Sequence, residues 1–293
     1  MGEAVIEPRG PFSVASEARF IAGWPPAARP GAAAAGSEVR LGFLVDDWSG
    51  HAGVVLRQDG DGPVRLTIEH STAADDERVI AQAARIVSLD HDGEGYAALG
   101  ARDEVVGQLQ RASGHLRPVL FHSPYEAACW AVISARIRQA QAASVRDALC
   151  AEHGAGLDVG GERMLGFPAP ERLLALDAVP RLADEKVRRL HGIARAALEG
   201  RLDRERLLAA GQERALAALR ELRGIGPFWA DGIYLRAVGP TDAVTLNEPR
   251  VRAKAAERYG APAVAEDDEA FLALAERWRP YRTWVSVLLR AAG

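Results

Sequence analysis

The segment of residues 222–248, LRGIGPFWADGIYLRAVGPTDAVTLNE, constrains the fold more than any other part of the chain. Just before it, apolar residues recur at helical spacing over residues 212–222. Gly224 and Gly226 then allow a tight bend that another backbone can approach closely. Pro227 follows at a position where a helix readily begins, because its missing N–H costs nothing there. The pattern predicts two helices joined by a hairpin, with free amide groups that suit a phosphate.

Composition narrows the class of protein. At 293 residues and 48% hydrophobic, the chain is long enough to bury a core of two or three layers. No apolar run approaches the roughly 20 residues that a bilayer crossing needs, and the acidic first residues carry no apolar leader. We therefore expect a cytoplasmic protein with no membrane partner. The two cysteines, Cys129 and Cys150, are too few for a four-thiolate iron–sulfur cluster, and we expect both to be buried.

Residues 1–113 have the pattern of a mixed α/β domain. Three short apolar or alternating runs predict strands, and residues 59–62, DGDG, predict a hairpin turn between the second and third of them. Helical spacing follows over residues 76–89. The Pro-, Ala- and Gly-rich stretch of residues 24–36 predicts a loop. The predicted strands are Val39–Val45, Val54–Leu56 and Val64–Ile68.

Residues 114–293 are almost entirely helical in pattern and form the second predicted domain, with the hairpin at residues 212–238. The predicted fold class is therefore α+β, with a small antiparallel sheet and helix preceding a helical core. The net charge of −4 argues mildly against a nucleic-acid partner. Residues 114–293, however, hold 26 Lys and Arg against 23 Asp and Glu, so this part is slightly basic.

The hairpin segment resembles the helix-hairpin-helix of the DNA glycosylase superfamily (HhH-GPD), and the resemblance extends in both directions. Residues 124–134, PYEAACWAVIS, look like the helix that opens the glycosylase core in 3-methyladenine DNA glycosylase II. Residues 278–284, WRPYRTW, are similar to the closing helix of that family. The R-x-x-x-L-D pattern at residues 85–90 sits where the family ends its small N-terminal domain. The resemblance implies the same two-domain fold.

The resemblance also implies an activity. Such an enzyme flips a damaged base out of double-stranded DNA and hydrolyses the bond between base and deoxyribose, in base excision repair. A methylated purine already carries positive charge, so it leaves without being protonated. We expect a monomer that needs no cofactor and acts at the bacterial nucleoid. Two alternatives remain open: a damaged-DNA-binding protein that has lost turnover, or a glycosylase for a specialised bulky lesion.

Glu248 occupies the position of the family's catalytic aspartate. A carboxylate there stabilises the positive charge that develops on the sugar. Glutamate is one methylene longer, which displaces the carboxylate, and Asn247 replaces an acid often found beside it. Alternatively, Glu248 only favours the start of a helix at Pro249. Asp242 is the reserve candidate, although it is better suited to fixing the loop after the hairpin.

The resemblance also assigns further pocket residues by their positions in the chain. Family members that also cleave the DNA backbone carry a lysine where this chain has Phe228, so the resemblance implies an enzyme without lyase activity. Phe228 and Tyr125 are candidates for the base pocket, and Trp229 for DNA contact; Phe228 and Trp229 alternatively belong to the core. Arg290 replaces an aromatic residue of the pocket, where it would disfavour a cationic purine, or it is exposed on the surface or contacts a phosphate.

DNA contacts are expected at three further places. The amides of Gly224 and Gly226 bind a phosphate. A wedge fills the space that the flipped base leaves, and Leu120 is the first candidate and Val119 the second. The resemblance implies a structural Na⁺ or K⁺ at the hairpin, which by position would be held by backbone carbonyls. The carbonyls that would hold this Na⁺ or K⁺ are those of Arg220, Leu222 and Ile225. Histidine spacing gives no sign of a catalytic metal.

Overall fold

β-Branched runs near the N-terminus form an antiparallel sheet. The computed structural model describes residues 2–29 and 38–292, and within them the sheet has the strand order β1-β4-β3-β2. The three predicted strand runs are confirmed, while β1 was not predicted. The residues 59–62 turn joins β3 to β4, with the Gly62 amide donating to the Asp59 carbonyl. The strands are β1 (Glu3–Ile6), β2 (Glu38–Leu44), β3 (His51–Gln58) and β4 (Val64–Ser71).

Two helices and a hairpin cover this sheet. Helix α1 (Val14–Gly23) packs on β2 and β3, and the predicted helix at residues 76–89 is present as α2 (Asp76–Ile86), which packs on β3 and β4. Each begins at a capping side chain, Ser13 and Asp75, that accepts from the first-turn amides. The predicted loop after α1 begins at Trp24, and its residues 30–36 lie outside the described residues.

A second hairpin, formed by β5 (Ala155–Val159) and β6 (Glu162–Gly166), comes from the helical part of the chain and lies against the same sheet. Gly53 allows this approach, since an added Cβ there would lie 2.3 Å from the Val159 side chain. Leu157, Val159 and Met164 are buried together with the sheet residues. The domain boundary predicted at residue 113 stays a prediction. Residues on both sides of it pack together, since β5 and β6 lie against the N-terminal sheet.

The remaining chain is helical and forms two hydrophobic clusters, which we call the hairpin cluster and the C-terminal cluster. The hairpin cluster surrounds α5, whose residues 124–133 are all buried. The C-terminal cluster surrounds Trp278 and Trp284, and α3 and α4 contribute to it from before residue 113.

No described helix has the length and hydrophobicity that a bilayer crossing requires. The helices are α3 (Glu94–Arg102), α4 (Glu104–Ala112), α5 (Pro124–Ser134), α6 (Gln139–His153), α7 (Pro170–Leu174), α8 (Asp184–Leu198), α9 (Arg204–Ala210), α10 (Gln212–Arg220), α11 (Pro227–Ile233), α12 (Pro249–Tyr259), α13 (Asp268–Glu276) and α14 (Arg282–Ala291), with a π-helical turn at Tyr234–Val238 and a 3₁₀ turn at Pro262–Ala265. The α+β prediction is confirmed.

Buried charges fix how these parts meet. Arg117 is fully buried and donates to backbone carbonyls of the N-terminal segment and of the segment after α2, including those of Arg9 and Ser88. Its own amide donates to Glu17 on α1 at 3.0 Å. Among the described residues, Oε2 of Glu17 has no hydrogen-bond partner. Burial therefore raises the pKa of Glu17 to about 8, against the opposing effect of Arg117.

Because the pKa of Glu17 is raised, the free energy of unfolding should fall as the pH rises. Its ordinary pKa is 4.5, so between about pH 4.5 and 8 the folded state retains a proton that the unfolded state has lost. The free energy of unfolding then decreases with a slope of up to about 1.4 kcal/mol per pH unit. Glu17→Gln keeps the amide hydrogen bond and should remove this decrease. Urea unfolding at several pH values measures it.

Exposed Glu7 provides the control, because Glu7→Gln should leave the pH dependence of the wild type unchanged. Parallel wild-type and Glu17→Gln curves between pH 5 and 8 would contradict the assignment.

Candidate functional site

The hairpin has the predicted geometry. Helix α10 buries Ala215 and Leu219, and Gly224 lies in the left-handed region with a φ of 100°. Gly226 begins α11 with no side-chain cap, and Pro227 is the first helical residue. An added Cβ at Gly226 would meet no atom within 4 Å. The bend is therefore exposed and presents backbone to solvent.

A cleft opens beside α11, between the hairpin cluster and the C-terminal cluster. Its outer part has a volume of about 520 Å³, within the range of ordinary ligand pockets, and a recess of about 90 Å³ continues inward. The two parts share five lining residues, which come from α11, the π-helical turn, the loop before α12, and α14. They are Phe228, Gly232, Arg236, Glu248 and Arg290.

Glu248 lies in the wall of this cleft and also caps α12. Its Oε1 accepts from the Arg250 amide at 3.2 Å, as an N-capping residue does. Its Oε2 is 3.9 Å from Nε of Arg290, and the side chain is 23% exposed. The two interpretations from the sequence are thus compatible, since one oxygen caps the helix while the carboxylate borders the cleft.

Asp242, the reserve candidate, lies outside the cleft. It accepts from Nη1 of Arg279 at 2.7 Å and from Nε of Arg282 at 2.8 Å. These bonds fasten the loop after the hairpin to the start of α14, which is the structural role that its position suggested.

The aromatic candidates have different environments. Phe228 is 49% exposed and lines both parts of the cleft, while Trp229 lines the outer part and packs partly on the hairpin cluster. The two rings meet edge to face at 5.6 Å. Tyr125, in contrast, is fully buried, and its hydroxyl donates to the Pro168 carbonyl at 3.1 Å. The prediction that Tyr125 lies in the base pocket is corrected, because α5 is buried on every side.

The predicted wedge residues are also inside the protein. Val119 is 1% and Leu120 is 2% exposed. The Leu120 amide donates to the Ile86 carbonyl, and its side chain fills the space beside Gly239. A wedge must reach the DNA stack, so this prediction is corrected: neither side chain is available to enter DNA.

An exposed turn between α5 and α6 leads into Gln139, which lines the outer cleft. Arg136 there has a φ of 59°, an unusual backbone conformation for a residue other than glycine. Lys186 caps the C-terminal end of α5, because its Nζ donates to the Ile133 and Ala135 carbonyls at 2.8 Å each. Nothing in the sequence pattern singles out Arg136.

Three arginines line the cleft, Arg19 in the outer part and Arg236 and Arg290 in both parts. Arg290 is 41% exposed and lines both parts, so the structure places this candidate at the pocket. Arg236 was not predicted; its guanidinium lies 4.0 Å from the Trp24 ring, and Nη2 donates to the Val119 carbonyl. Burial, with the nearby charge of Arg290, lowers the pKa of Arg236 to about 9. Arg236 belongs to the π-helical turn, a distortion often found at functional sites.

The predicted cation site stays a prediction. Of its three carbonyls, that of Leu222 already accepts from the Ile225 amide at 2.9 Å and retains a second lone pair. Among residues 2–29 and 38–292, the structure contains no cluster of three or more His, Cys, Asp or Glu side chains suited to a metal. Both cysteines are buried and unbonded to each other.

Known proteins resemble this chain in sequence and in fold. It is 28% identical over 167 residues to the DNA-3-methyladenine glycosylase of Bacillus subtilis, covering 55% of each chain. It is 29% identical over 214 residues to a probable bifunctional transcriptional activator/DNA repair enzyme AlkA of Mycobacterium tuberculosis, covering 70% of this chain and 41% of the relative. The chain thus spans about half the length of these curated relatives. No protein-family model matches it.

A solved 3-methyladenine DNA-glycosylase from Archaeoglobus fulgidus has the same fold across nearly the whole chain. The TM-score is 0.77 at 18% identity, with 99% of this chain and 97% of that one covered. The chain thus has the fold of this solved glycosylase and is similar in sequence to the two curated relatives.

Proposed function

We propose that this protein is a monofunctional DNA glycosylase that removes alkylated purines from double-stranded DNA by hydrolysis. The observation that carries the proposal is the position of Glu248 in the wall of a cleft whose mouth holds the exposed ring of Phe228. The names of the curated relatives, which are a 3-methyladenine glycosylase and a DNA repair enzyme, support the substrate class.

The chemistry follows from this arrangement. A base flipped into the cleft stacks on Phe228, since every base has a π-face and half of that ring is free. As the base leaves, positive charge grows on the sugar, and the carboxylate of Glu248 stabilises it. Water then completes the hydrolysis. The apolar floor of the recess, with Leu235 and Val251, raises the strength of this electrostatic interaction by excluding solvent.

The hairpin supplies the grip on the DNA backbone. Open space surrounds Gly226, so a phosphate can approach the amides at the start of α11, while Gly224 allows the left-handed turn that precedes them. A Na⁺ or K⁺ held by the carbonyls of Arg220, Leu222 and Ile225 would share that phosphate. Arg136 replaces Leu120 as the proposed wedge, because its side chain is exposed, its backbone is held in a strained conformation, and it precedes by three residues Gln139, which lines the outer cleft.

A damaged-DNA-binding protein without turnover is the second candidate function. The position of Arg290 favours it, since a cation 3.9 Å from Glu248 partly neutralises the carboxylate that must stabilise the sugar and also disfavours a cationic purine in the cleft. The following experiment separates the two functions.

Glu248→Gln should slow base release from methylated duplex DNA by about 10²-fold or more, because the neutral amide no longer stabilises the charged sugar. Binding to the same duplex should persist, and the glutamine oxygen can still cap α12. Single-turnover release and equilibrium binding measure the two effects. Glu257→Gln, an exposed change on the same helix, is the matched control.

Retention of wild-type release by Glu248→Gln would remove the catalytic assignment. A wild type that binds the methylated duplex and releases nothing would support the second candidate function.

Gly226→Ala should weaken DNA binding about tenfold, similarly for all sequences, because a lost phosphate contact is worth about 1.5 kcal/mol or more. The φ of −87° and the open space mean that the folded protein tolerates the added Cβ. Thermal stability should therefore be unchanged. Gly192→Ala on α8, which also meets open space, is the control for binding. Equal affinities for wild type and Gly226→Ala would exclude the phosphate grip.

The product should be an intact strand with an abasic site, cleaved only by added alkali. The chain contains two lysines, Lys186 and Lys254, and neither lines the cleft. Lys186 is engaged at the end of α5, and Lys254 pairs with Glu257 at 2.9 Å. No Schiff base should form. Borohydride should trap no covalent adduct, and an adduct lost on Lys186→Ala or Lys254→Ala would contradict this.

A further inference from the structure

Asp231 is a buried carboxylate that the proposed chemistry does not use. It lies on α11, five residues after Gly226, and is 4% exposed in the wall of the inner recess. Its Oδ2 accepts from Oγ1 of Thr245 and from Nδ2 of Asn247, each at 2.5 Å. Both partners belong to the loop that carries Glu248. Asp231 therefore ties the hairpin helix to this loop.

The loop is closed by its own hydrogen bond as well. Oγ1 of Thr245, while donating to Asp231, accepts from the Asn247 amide at 2.9 Å. The next residue, Glu248, starts α12 and is fixed on that side by the capping bond to Arg250. The backbone before Glu248 is thus fastened to the hairpin, and the backbone after it is fastened to α12.

The desolvation cost of burying the Asp231 carboxylate indicates that this link has a function. Burying a carboxylate is unfavourable unless it is paired, and the partners here are a neutral hydroxyl and a neutral amide. Both hydrogen bonds converge on one oxygen of the Asp231 carboxylate. An apolar side chain at this position would avoid the desolvation cost while filling the same space. What it would lose is the fixed position of the loop.

We propose that Asp231 is a positioning residue for Glu248, and this inference rests on the proposed function. Gly226 and Asp231 share one short helix, so the phosphate grip and the carboxylate are held at a set separation through Asp231. The sugar of a bound nucleotide lies between the two contacts. A displacement of about 1 Å at such a site costs on the order of 10²-fold in rate.

The test uses three variants of the link and a matched control. Asp231→Asn removes the charge, Thr245→Val removes the hydroxyl at nearly equal volume, and Thr245→Ser restores it. Asp103→Asn is the control, because Asp103 is 2% exposed, accepts from the Tyr259 hydroxyl at 2.9 Å, and lies away from the cleft. Two readouts are measured on each: single-turnover base release, and affinity for duplexes carrying a neutral tetrahydrofuran or a cationic pyrrolidine in place of the damaged nucleotide.

Asp231→Asn and Thr245→Val should slow release by about 10- to 100-fold. They should also reduce the preference for pyrrolidine over tetrahydrofuran, while tetrahydrofuran affinity stays at the wild-type value. Thr245→Ser should restore both readouts, and Asp103→Asn should change neither. Combined with Glu248→Gln, Asp231→Asn should slow release no further than Glu248→Gln alone, since both act through one carboxylate.

Three outcomes would overturn the inference. Asp231→Asn and Thr245→Val could retain the wild-type release rate and pyrrolidine preference, or Asp103→Asn could lose as much release rate and preference as they do. The third is that the effects of Asp231→Asn and Glu248→Gln on the release rate are fully additive. A wild type that prefers pyrrolidine but releases no base would refute the proposed function alone, because the preference still reports the position of Glu248. A wild type without any pyrrolidine preference would refute both.

Discussion

Burial of helix α5 is the constraint on which the rest of the structure depends. All residues from Pro124 to Ile133 are buried, so neighbouring elements enclose this helix on every side. Its one charged residue, Glu126, is held between Arg29 and His122. Burial alone would raise the pKa of Glu126, but the charges of these partners lower it to about 2. Because removing one partner of a buried ion pair costs about 3–5 kcal/mol, Arg29 fastens the N-terminal segment to the helical core.

The cleft is a consequence of that packing. Helix α11 and the π-helical turn both contact α5, whereas α12 and α14 pack around Trp278 and Trp284 in the C-terminal cluster. Two separately packed clusters leave a gap where they meet. The hairpin contributes Phe228 to one side of this gap, and the loop before α12 contributes Glu248 to the other. The link from Asp231 to that loop crosses between the two sides, so the relative position of the clusters decides the geometry of the site.

The parts of the fold that sequence could predict are those set by local patterns. The hairpin, the strand runs and the helix α2 follow from glycine positions, alternation and helical spacing, and each is present. Tyr125 was misplaced because spacing cannot orient a helix that is apolar on all sides, and that lack of a polar face is itself the sign of a buried helix. Val119 and Leu120 were misplaced because a short apolar segment between helices looks alike whether it is exposed or buried. Asp231 and Arg236 depend on partners 14 residues or more away in the chain, which no local pattern reveals.

The presence of a glutamate at position 248, where the glycosylases that this chain resembles have an aspartate, becomes understandable in this setting. A capping side chain gives up rotational freedom, because Oε1 of Glu248 must stay within reach of the Arg250 amide. The extra methylene therefore does not make the carboxylate loose, and Oε2 is left on the side of Arg290 and the cleft. Capping and the charge stabilisation that we propose are then two uses of one group, with the helix start fixing where the free oxygen lies. The remaining freedom is that of the loop backbone, and Asp231, through Thr245 and Asn247, restricts it.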